Sequence, residues 1–139
     1  MRSILFLCVE NRARSQMAEG MARHFLGHQS DVSSAGSKPA DRVHPMAVAV
    51  MAEIGIDISK QQPKALNIDH VSRIDMGFTL CKEEECPALP ANVKQVFWDI
   101  DDPAAQTDVE PSVQIKTFRK VRDKLRRKVL ALRAADQVW

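Results

Sequence analysis

The stretch that decides the fold is Ile4–Ser15, which reads ILFLCVENRARS. Its opening, Ile4–Cys8, is apolar throughout, as in a strand of a parallel sheet that is buried on both faces. The next segment, Ser15–Leu26, has apolar side chains at helical spacing, and Gly27 is typical of a helix end. The stretch therefore predicts a strand, a short loop and a helix, in that order.

The loop of this unit combines a cysteine with groups that attract anions. Loop N–H groups and the start of the following helix both favour a bound anion. Arg14 carries a planar fork of donors that suits a tetrahedral oxyanion such as phosphate or arsenate. A thiolate at Cys8 is stabilised by the helix terminus, by Arg14 and by donors such as Ser15. We therefore predict a cysteine nucleophile, although Cys8 alone could also be a small hydrophobe that closes a core strand.

Within the loop, Asn11 suits an internal brace, because its short amide tolerates left-handed geometry and bonds nearby backbone. Glu10 and Arg12 are placed at the rim without an assigned role. The predicted oxyanion-binding loop consists of Val9, Glu10, Asn11, Arg12, Ala13, Arg14 and Ser15.

The rest of the chain alternates between predicted strands and helices. The predicted elements are a strand at Val32–Ala35, a helix from His44-Pro45 to Gly55, a short helix at Asn67–Ser72, strands at Asp75–Leu80 and Val93–Trp98, and a helix from Val109 to Ala135. This order predicts one catalytic domain over residues 1–139, a three-layer α/β/α fold with a four-stranded parallel sheet. The loops after residues 8, 81 and 99 then share the carboxyl edge of the sheet, where such folds place their sites.

Composition restricts the classes of function. The chain has 139 residues, is 45% hydrophobic and carries a formal net charge of +2, so bulk charge does not indicate a nucleic-acid partner. The basic segment Lys116–Arg133 surrounds an apolar stripe, which favours a solvated helix face. The apolar start is too short for a membrane span and lacks the features of a signal peptide. We therefore expect a cytoplasmic protein that binds neither nucleic acid nor membrane.

A second group of reactive residues is the pair Cys81 and Cys86, separated by four residues in a loop that follows a strand. In a reducing compartment, a disulfide between them would be a transient, working bond. The alternative is half of a metal site, but the four histidines show no ligand spacing, so we predict no metal and no cofactor.

A third candidate is Asp102, which precedes Pro103 after the last predicted strand. A carboxylic acid fixed there could donate a proton to a departing oxygen. The alternative is an ordinary Asp-Pro turn.

Taken together, these residues resemble the low-molecular-weight tyrosine phosphatase family, and within it the thioredoxin-coupled arsenate reductases. The resemblance covers nearly the whole chain. It includes Cys8–Gly20, Ser34–Gly36, Gly55–Ser59, the Cys81/Cys86 loop with Leu89-Pro90, and Trp98–Ala104. The loop from cysteine to arginine marks the superfamily, and the additional cysteine pair distinguishes a reductase from a phosphatase.

The resemblance implies a relay of thiols. Cys8 attacks arsenate held by Arg14 while Asp102 protonates the leaving oxygen. Cys81 then attacks Cys8, which releases arsenite, and Cys86 attacks Cys81, which leaves a Cys81–Cys86 disulfide for an external reductant. Thioredoxin is the implied donor, and we expect a monomer.

The sequence departs from the family pattern at the site itself. Glu10 stands where many members have glycine, and Ala13 replaces a second loop cysteine. The tyrosine that usually follows the Asp-Pro pair in the phosphatase branch is Ala104.

A further departure concerns potassium, which some reductases bind beside the loop. The resemblance implies Asn11, Glu19 and Ser34 for that site, together with an aspartate. Lys64 occupies the aspartate position, and its ammonium could take the place of the ion.

Two other functions compete with the reductase. One is a phosphatase for phosphotyrosine or small esters that uses Cys8, Arg14 and Asp102 alone. The other is a redox sensor or partner-binding module without catalysis, built around Cys81, Cys86 and the basic helix. The sequence also leaves open glutaredoxin or another thiol carrier as the electron donor.

Overall fold

The computed structural model describes residues 2–27, 29–81, 88–105 and 108–134. Its elements are β1 Arg2–Cys8, α1 Arg14–Leu26, β2 Ser30–Gly36, α2 Pro45–Ala52, α3 Ile68–Val71, β3 Met76–Thr79, β4 Lys94–Phe97 and α4 Pro111–Ala134. The strands pair in the order β2-β1-β3-β4, and every pairing is parallel. The predicted α/β fold with a four-stranded parallel sheet is therefore confirmed.

The central strand β1 explains why the opening of the sequence is apolar without alternation. Strands on both sides and layers on both faces enclose it, and its residues 4–7 are fully buried. Ile4 and Phe6 face the core formed with α1, α2 and α4, where Phe6 stacks on Phe78 with ring centroids 5.3 Å apart. Leu5 and Leu7 face a smaller core on the other side, which includes residues of and around α3. The two cores lie on opposite faces of the sheet, between the sheet and the residues that cover each face.

Strand β2 is longer than the predicted Val32–Ala35 because its pairing with β1 extends over serines that an apolar pattern does not mark. Its register places Gly36 opposite Cys8, so both strands end at the same edge. A Cβ on Gly36 would lie 2.5 Å from the Val9 carbonyl oxygen. The close approach of β2 to the loop after β1 therefore requires glycine at this position.

Helix α2 begins as predicted, with Pro45 in its first turn and the His44 side chain accepting a hydrogen bond from the Met46 N–H. Regular helix ends at Ala52, and a turn continues to Gly55, whose φ of 79° is left-handed. The predicted helix end at Gly55 is thus a capping turn that follows the helix.

Helix α4 starts at Pro111, two residues from the approximate predicted start at Val109, and its predicted end, Ala135, lies outside the described residues. Proline is favoured in the first turn because a backbone N–H at that position would have no partner within the helix, so nothing is lost by its absence. The buried side of α4 consists of Phe118, Val121, Leu125 and Val129, and Leu132 is partly buried against the same core. No helix in the described ranges is long and apolar enough to cross a lipid bilayer.

Candidate active site

The loop between β1 and α1 forms the floor of a cavity of about 550 Å³ at the carboxyl edge of the sheet. Nine residues line the cavity: Cys8, Val9, Glu10, Arg12, Ala13, Arg14, Ser37, Lys38 and Asp102. All except Ser37, Lys38 and Asp102 belong to one short segment. The structure therefore brings the proposed nucleophile, the arginine and the proposed acid together around one space.

Asn11 determines the shape of the loop. It is fully buried and has a left-handed φ of 50°, a conformation that asparagine adopts more readily than most residues. Its side-chain oxygen accepts hydrogen bonds from the Lys64 backbone N–H at 2.8 Å and from Gln16 Nε2 at 3.0 Å. Its amide nitrogen donates to Ser15 Oγ at 2.7 Å and to Ser34 Oγ at 2.9 Å. The backbone donor at Lys64 fixes which end of the amide faces which partner.

This orientation leaves the Ser15 hydroxyl proton free to donate to the proposed nucleophile. Cys8 Sγ lies 2.8 Å from Ser15 Oγ, and both residues are buried. Because Ser15 Oγ accepts from the Asn11 amide, its single proton is available to donate to sulfur. A hydroxyl that donates to sulfur stabilises the thiolate, the form of cysteine that acts as a nucleophile.

A buried carboxylate lies on the far side of Asn11. Glu19 is 1% exposed, and its Oε1 accepts a 2.6 Å hydrogen bond from Ser34 Oγ. Lys64 Nζ lies 3.3 Å from the same oxygen, and Arg23 Nη2 lies 3.4 Å from Glu19 Oε2. A buried carboxylate requires such compensation. The Lys64 ammonium therefore lies beside the residues that the resemblance implied for potassium. The described residues contain no group of three or more His, Cys, Asp or Glu side chains that could hold a metal ion.

Arg14 is held by backbone groups from two remote parts of the chain. Its Nη1 donates to the Leu80 carbonyl at 2.9 Å and to the Ile100 carbonyl at 3.1 Å. Its side chain is 11% exposed, and Nη2 lies 3.9 Å from Asp102 Oδ2. The segments that follow β3 and β4 thus fix the guanidinium at the cavity, which Arg14 lines.

Asp102 is both a turn residue and a lining residue. Its Oδ1 accepts a 3.0 Å hydrogen bond from the Ala104 N–H, as in an Asx turn. The other oxygen is the one near Arg14. Asp102 therefore forms an ordinary turn and also lines the cavity, so the two predictions made for it do not exclude each other.

Charged groups form the mouth of the cavity. Glu10 Oε2 accepts from Arg12 Nε at 2.6 Å, an ion pair between partly exposed side chains.

Burial lowers the pKa of His44 below its usual value, and the cation of Arg12 lowers it further, although Asp102 has an opposing effect. The Nδ1 atom of His44 accepts from a backbone N–H, so the proton of the neutral ring is on Nε2.

The predicted cysteine pair is described only in part. Cys8 is a free thiol, whereas Cys81, 7% exposed, is in a disulfide. Cys86 lies outside the described residues. Cys81 follows β3, which pairs directly with β1, so both described cysteines lie at the ends of neighbouring strands.

Sequence reasoning did not place Ser37 and Lys38 at the site. They follow β2 at the same edge of the sheet, and the Lys38 N–H donates to the Val9 carbonyl at 2.8 Å. The signal that could have identified them is their position just after a strand that neighbours β1.

The family of low molecular weight phosphotyrosine protein phosphatases matches residues 3–137. Since this match spans almost the whole chain, the protein belongs to that family, as its sequence motifs predicted.

Relatives named arsenate reductase match most of this chain. The arsenate reductase of Halalkalibacterium halodurans is 41% identical over 128 residues, which cover 91% of each chain. A solved arsenate reductase in the oxidised state is 32% identical, with a TM-score of 0.79 over 96% of this chain and 98% of that one. A thioredoxin-dependent arsenate reductase of Corynebacterium glutamicum is 27% identical, with a TM-score of 0.71 over 97% of this chain and 63% of that one.

Proposed function

We propose that this protein is an arsenate reductase that works by a relay of thiols. The observation that carries the proposal is the pairing of a free Cys8 in the cavity that Arg14 also lines with a disulfide-bonded Cys81 at the end of the adjacent strand. A phosphatase needs only the first of these features. The relatives named arsenate reductase support the same reading.

The first step uses the residues around the cavity. Arsenate binds to the loop N–H groups and to Arg14, whose guanidinium is already held in place by the Leu80 and Ile100 carbonyls. The Cys8 thiolate, with the Ser15 hydroxyl as donor, attacks arsenic and forms a sulfur–arsenic bond. Asp102 gives its proton to the departing oxygen, which leaves as water.

The second step reduces arsenic. The Cys81 thiolate attacks Cys8 Sγ, and the electron pair of the sulfur–arsenic bond passes to arsenic, which leaves as arsenite. Cys86 then attacks Cys81, releases the Cys8 thiolate and leaves a Cys81–Cys86 disulfide. Each transfer is a thiolate displacement at sulfur, so each requires an accessible target sulfur.

The final step needs an external dithiol. We propose thioredoxin, since the donor must end as a disulfide after it has transferred two electrons, and a related structure is described as thioredoxin-dependent. We also propose that the protein acts in the cytoplasm, where thiols are kept reduced, and as a monomer, because Cys8, Arg14 and Asp102 already line one cavity without a second subunit.

A weak phosphatase activity is expected from the same cavity. Arg14 and Asp102 lie together as hydrolysis of a phosphate ester would require, with Nη2 and Oδ2 3.9 Å apart. Phosphate and arsenate are both tetrahedral oxyanions, so the anion site does not separate them easily.

The test is arsenate-dependent oxidation of NADPH in the presence of thioredoxin and thioredoxin reductase. The wild type and the variants Cys8→Ser, Cys81→Ser and Cys86→Ser are compared at equal concentration. We expect multiple turnovers from the wild type and none from any variant. Unchanged turnover in Cys81→Ser or Cys86→Ser would refute the relay.

A further inference from the structure

Three large apolar side chains of the described residues are well exposed: Ile68 (77%), Phe97 (48%) and Val113 (49%). Phe97 differs from the other two in its position. It is the last residue of β4, the strand at the edge of the sheet, and it lies at the carboxyl edge that also carries the candidate active site.

The strand register places Phe97 close to Cys81. Phe97 is paired with Thr79, and Cys81 follows two residues later. With neighbouring strands about 4.8 Å apart and a rise of about 3.3 Å per residue, the Cα atoms of Phe97 and Cys81 are within about 12 Å of each other. An exposed aromatic side chain therefore lies near the disulfide.

Phe97 shares its face of the sheet with a second apolar residue. Paired residues of parallel strands point to the same side, so Phe97 lies on the side of Thr79 and Gly77. A Cβ on Gly77 would lie 2.4 Å from Leu89 Cδ1, which places the half-buried Leu89 over this same face. We call Phe97 and Leu89 the Phe97 surface.

We propose that the Phe97 surface is the docking site of the protein dithiol that reduces the disulfide of Cys81. The inference rests on the proposed function, which consumes two electrons in each cycle and leaves Cys81 oxidised. A donor thiolate must approach the disulfide in line with the sulfur–sulfur bond, so the surface around that thiol contacts the residues that flank Cys81. Exposed aromatic residues at the centre of such a contact provide a large part of the binding free energy.

The geometry of β4 supports a small, specific contact at this edge. The strand has only four residues, and the exposed Lys94 stands at its other end. A short edge strand with a lysine resists unspecific strand pairing. Phe97 thus offers a single apolar anchor, as expected for a transient encounter between a donor and its substrate.

The electron transfer at this surface is an exchange of disulfides. One donor thiolate attacks a sulfur of the disulfide, forms an intermolecular disulfide and releases the other cysteine as a thiolate. The second donor thiol then displaces Cys81 or its partner, so that the donor ends as a disulfide and this chain as two thiols. The two protons of the donor dithiol end on the two cysteines of this chain.

The experiment measures reduction of the oxidised protein without arsenate. Oxidised wild type, Phe97→Ser and Phe97→Leu are mixed with reduced thioredoxin, and the rate constant is followed by stopped-flow tryptophan fluorescence. The control variant is Ile68→Ser on α3, which lies before β3 in the chain and is more exposed than Phe97. The same four proteins are reduced by dithiothreitol, which needs no docking site.

We expect the thioredoxin rate constant to fall about tenfold in Phe97→Ser, which corresponds to the loss of one aromatic anchor. Phe97→Leu should recover most of the rate, and Ile68→Ser should stay within about twofold of the wild type. Reduction by dithiothreitol should be equal in all four proteins. An equal loss with both reductants would place the effect on the disulfide itself and overturn the proposal, as would an unchanged rate with thioredoxin.

The experiments also distinguish self-association of this chain, and failure of the proposed function, from failure of the docking proposal. If the surface instead binds a second copy of this chain, sedimentation would show a dimer that Phe97→Ser dissociates, and this would overturn the proposal. Failure of arsenate turnover in the NADPH assay would contradict the proposed function without affecting the thioredoxin rate constants measured here.

Discussion

The ends of β1 and β3 carry the two described cysteines, and they are built differently. At Cys8 the polar groups are fixed by a chain of hydrogen bonds through Ser15, Asn11 and Ser34 to the buried Glu19. At Cys81 the sulfur is held by a covalent bond that thiol exchange can break. The two cysteines therefore suit different steps. Attack on a small oxyanion needs a nucleophile in a fixed place, as at Cys8, while electron transfer needs a sulfur whose bond can be exchanged, as at Cys81.

The largest expected effect is a difference between two substrates: arsenate reduction needs both Cys8 and Cys81, whereas hydrolysis of a phosphate ester needs only Cys8. Cys81→Ser should abolish multiple turnover of arsenate yet change hydrolysis of an aryl phosphate by less than about threefold, because ester hydrolysis uses only the Cys8 end. Cys8→Ser should abolish both reactions. The measurement is release of p-nitrophenol beside arsenite formation, and a large loss of hydrolysis in Cys81→Ser would show that the two ends are not independent.

A second effect tests how Arg14 links the two ends. Lysine carries its donors on a single nitrogen, so it has no second nitrogen to face an oxyanion while the first donates to the Leu80 and Ile100 carbonyls. Arg14→Lys should therefore lower kcat/KM for both arsenate and aryl phosphate by about 10²–10³-fold. Steady-state kinetics and phosphate titration check this, with Arg126→Lys on the exposed side of α4 as the control. A loss below about threefold would mean that charge alone is sufficient.

A third effect tests the hydrogen bonds through which Asn11 fixes the loop after Cys8. Asn11→Gly keeps the left-handed φ of 50° but removes the buried amide and its four partners, so we expect a loss of about 2 kcal/mol or more in the free energy of unfolding. Asn11→Ala should lose about 1 kcal/mol more, because alanine is strained at this φ. Both should slow alkylation of Cys8 by iodoacetamide at neutral pH. The exposed Asn92, which donates to the Ser72 carbonyl, is the matched control as Asn92→Ala.

The smallest effect concerns a region remote from both cysteines. Hydrogen bonds from Arg119 and Arg122 lower the pKa of Glu53 from 4.5 to about 2. Because the folded pKa is the lower one, the stabilisation is complete above pH 4.5 and is lost as the pH falls from 4.5 towards 2. Denaturation with urea at several pH values should show a shallower acid-side slope in Glu53→Gln, with unchanged arsenate turnover at neutral pH. Identical slopes in the two proteins would contradict this account.

Much of the architecture could be predicted because it depends on local pattern. The apolar run Ile4–Leu7 and the helical spacing in α1 and α4 identified their elements from neighbouring residues alone. The bounds of β2 differ from the prediction because strand pairing decides them: β2 extends from Ser30 to Gly36, since β1 pairs with it along this whole length. A neighbouring strand provides hydrogen bonds that the apolar pattern of the strand itself does not contain.

The sequence by itself determined the chemistry of the Cys8 loop, since a thiol, an arginine and a hydroxyl between a strand and a helix are neighbours along the chain. It also determined the family, through motifs spread over nearly all of its length. Only the tertiary structure decided which carbonyls hold Arg14, which backbone N–H orients Asn11, and where the Lys64 ammonium and Ser37-Lys38 lie. The contacts of Arg14, Asn11 and Lys64 named here join residues 45 to 86 positions apart, and a hydrogen bond depends on distance in space, which folding alone sets.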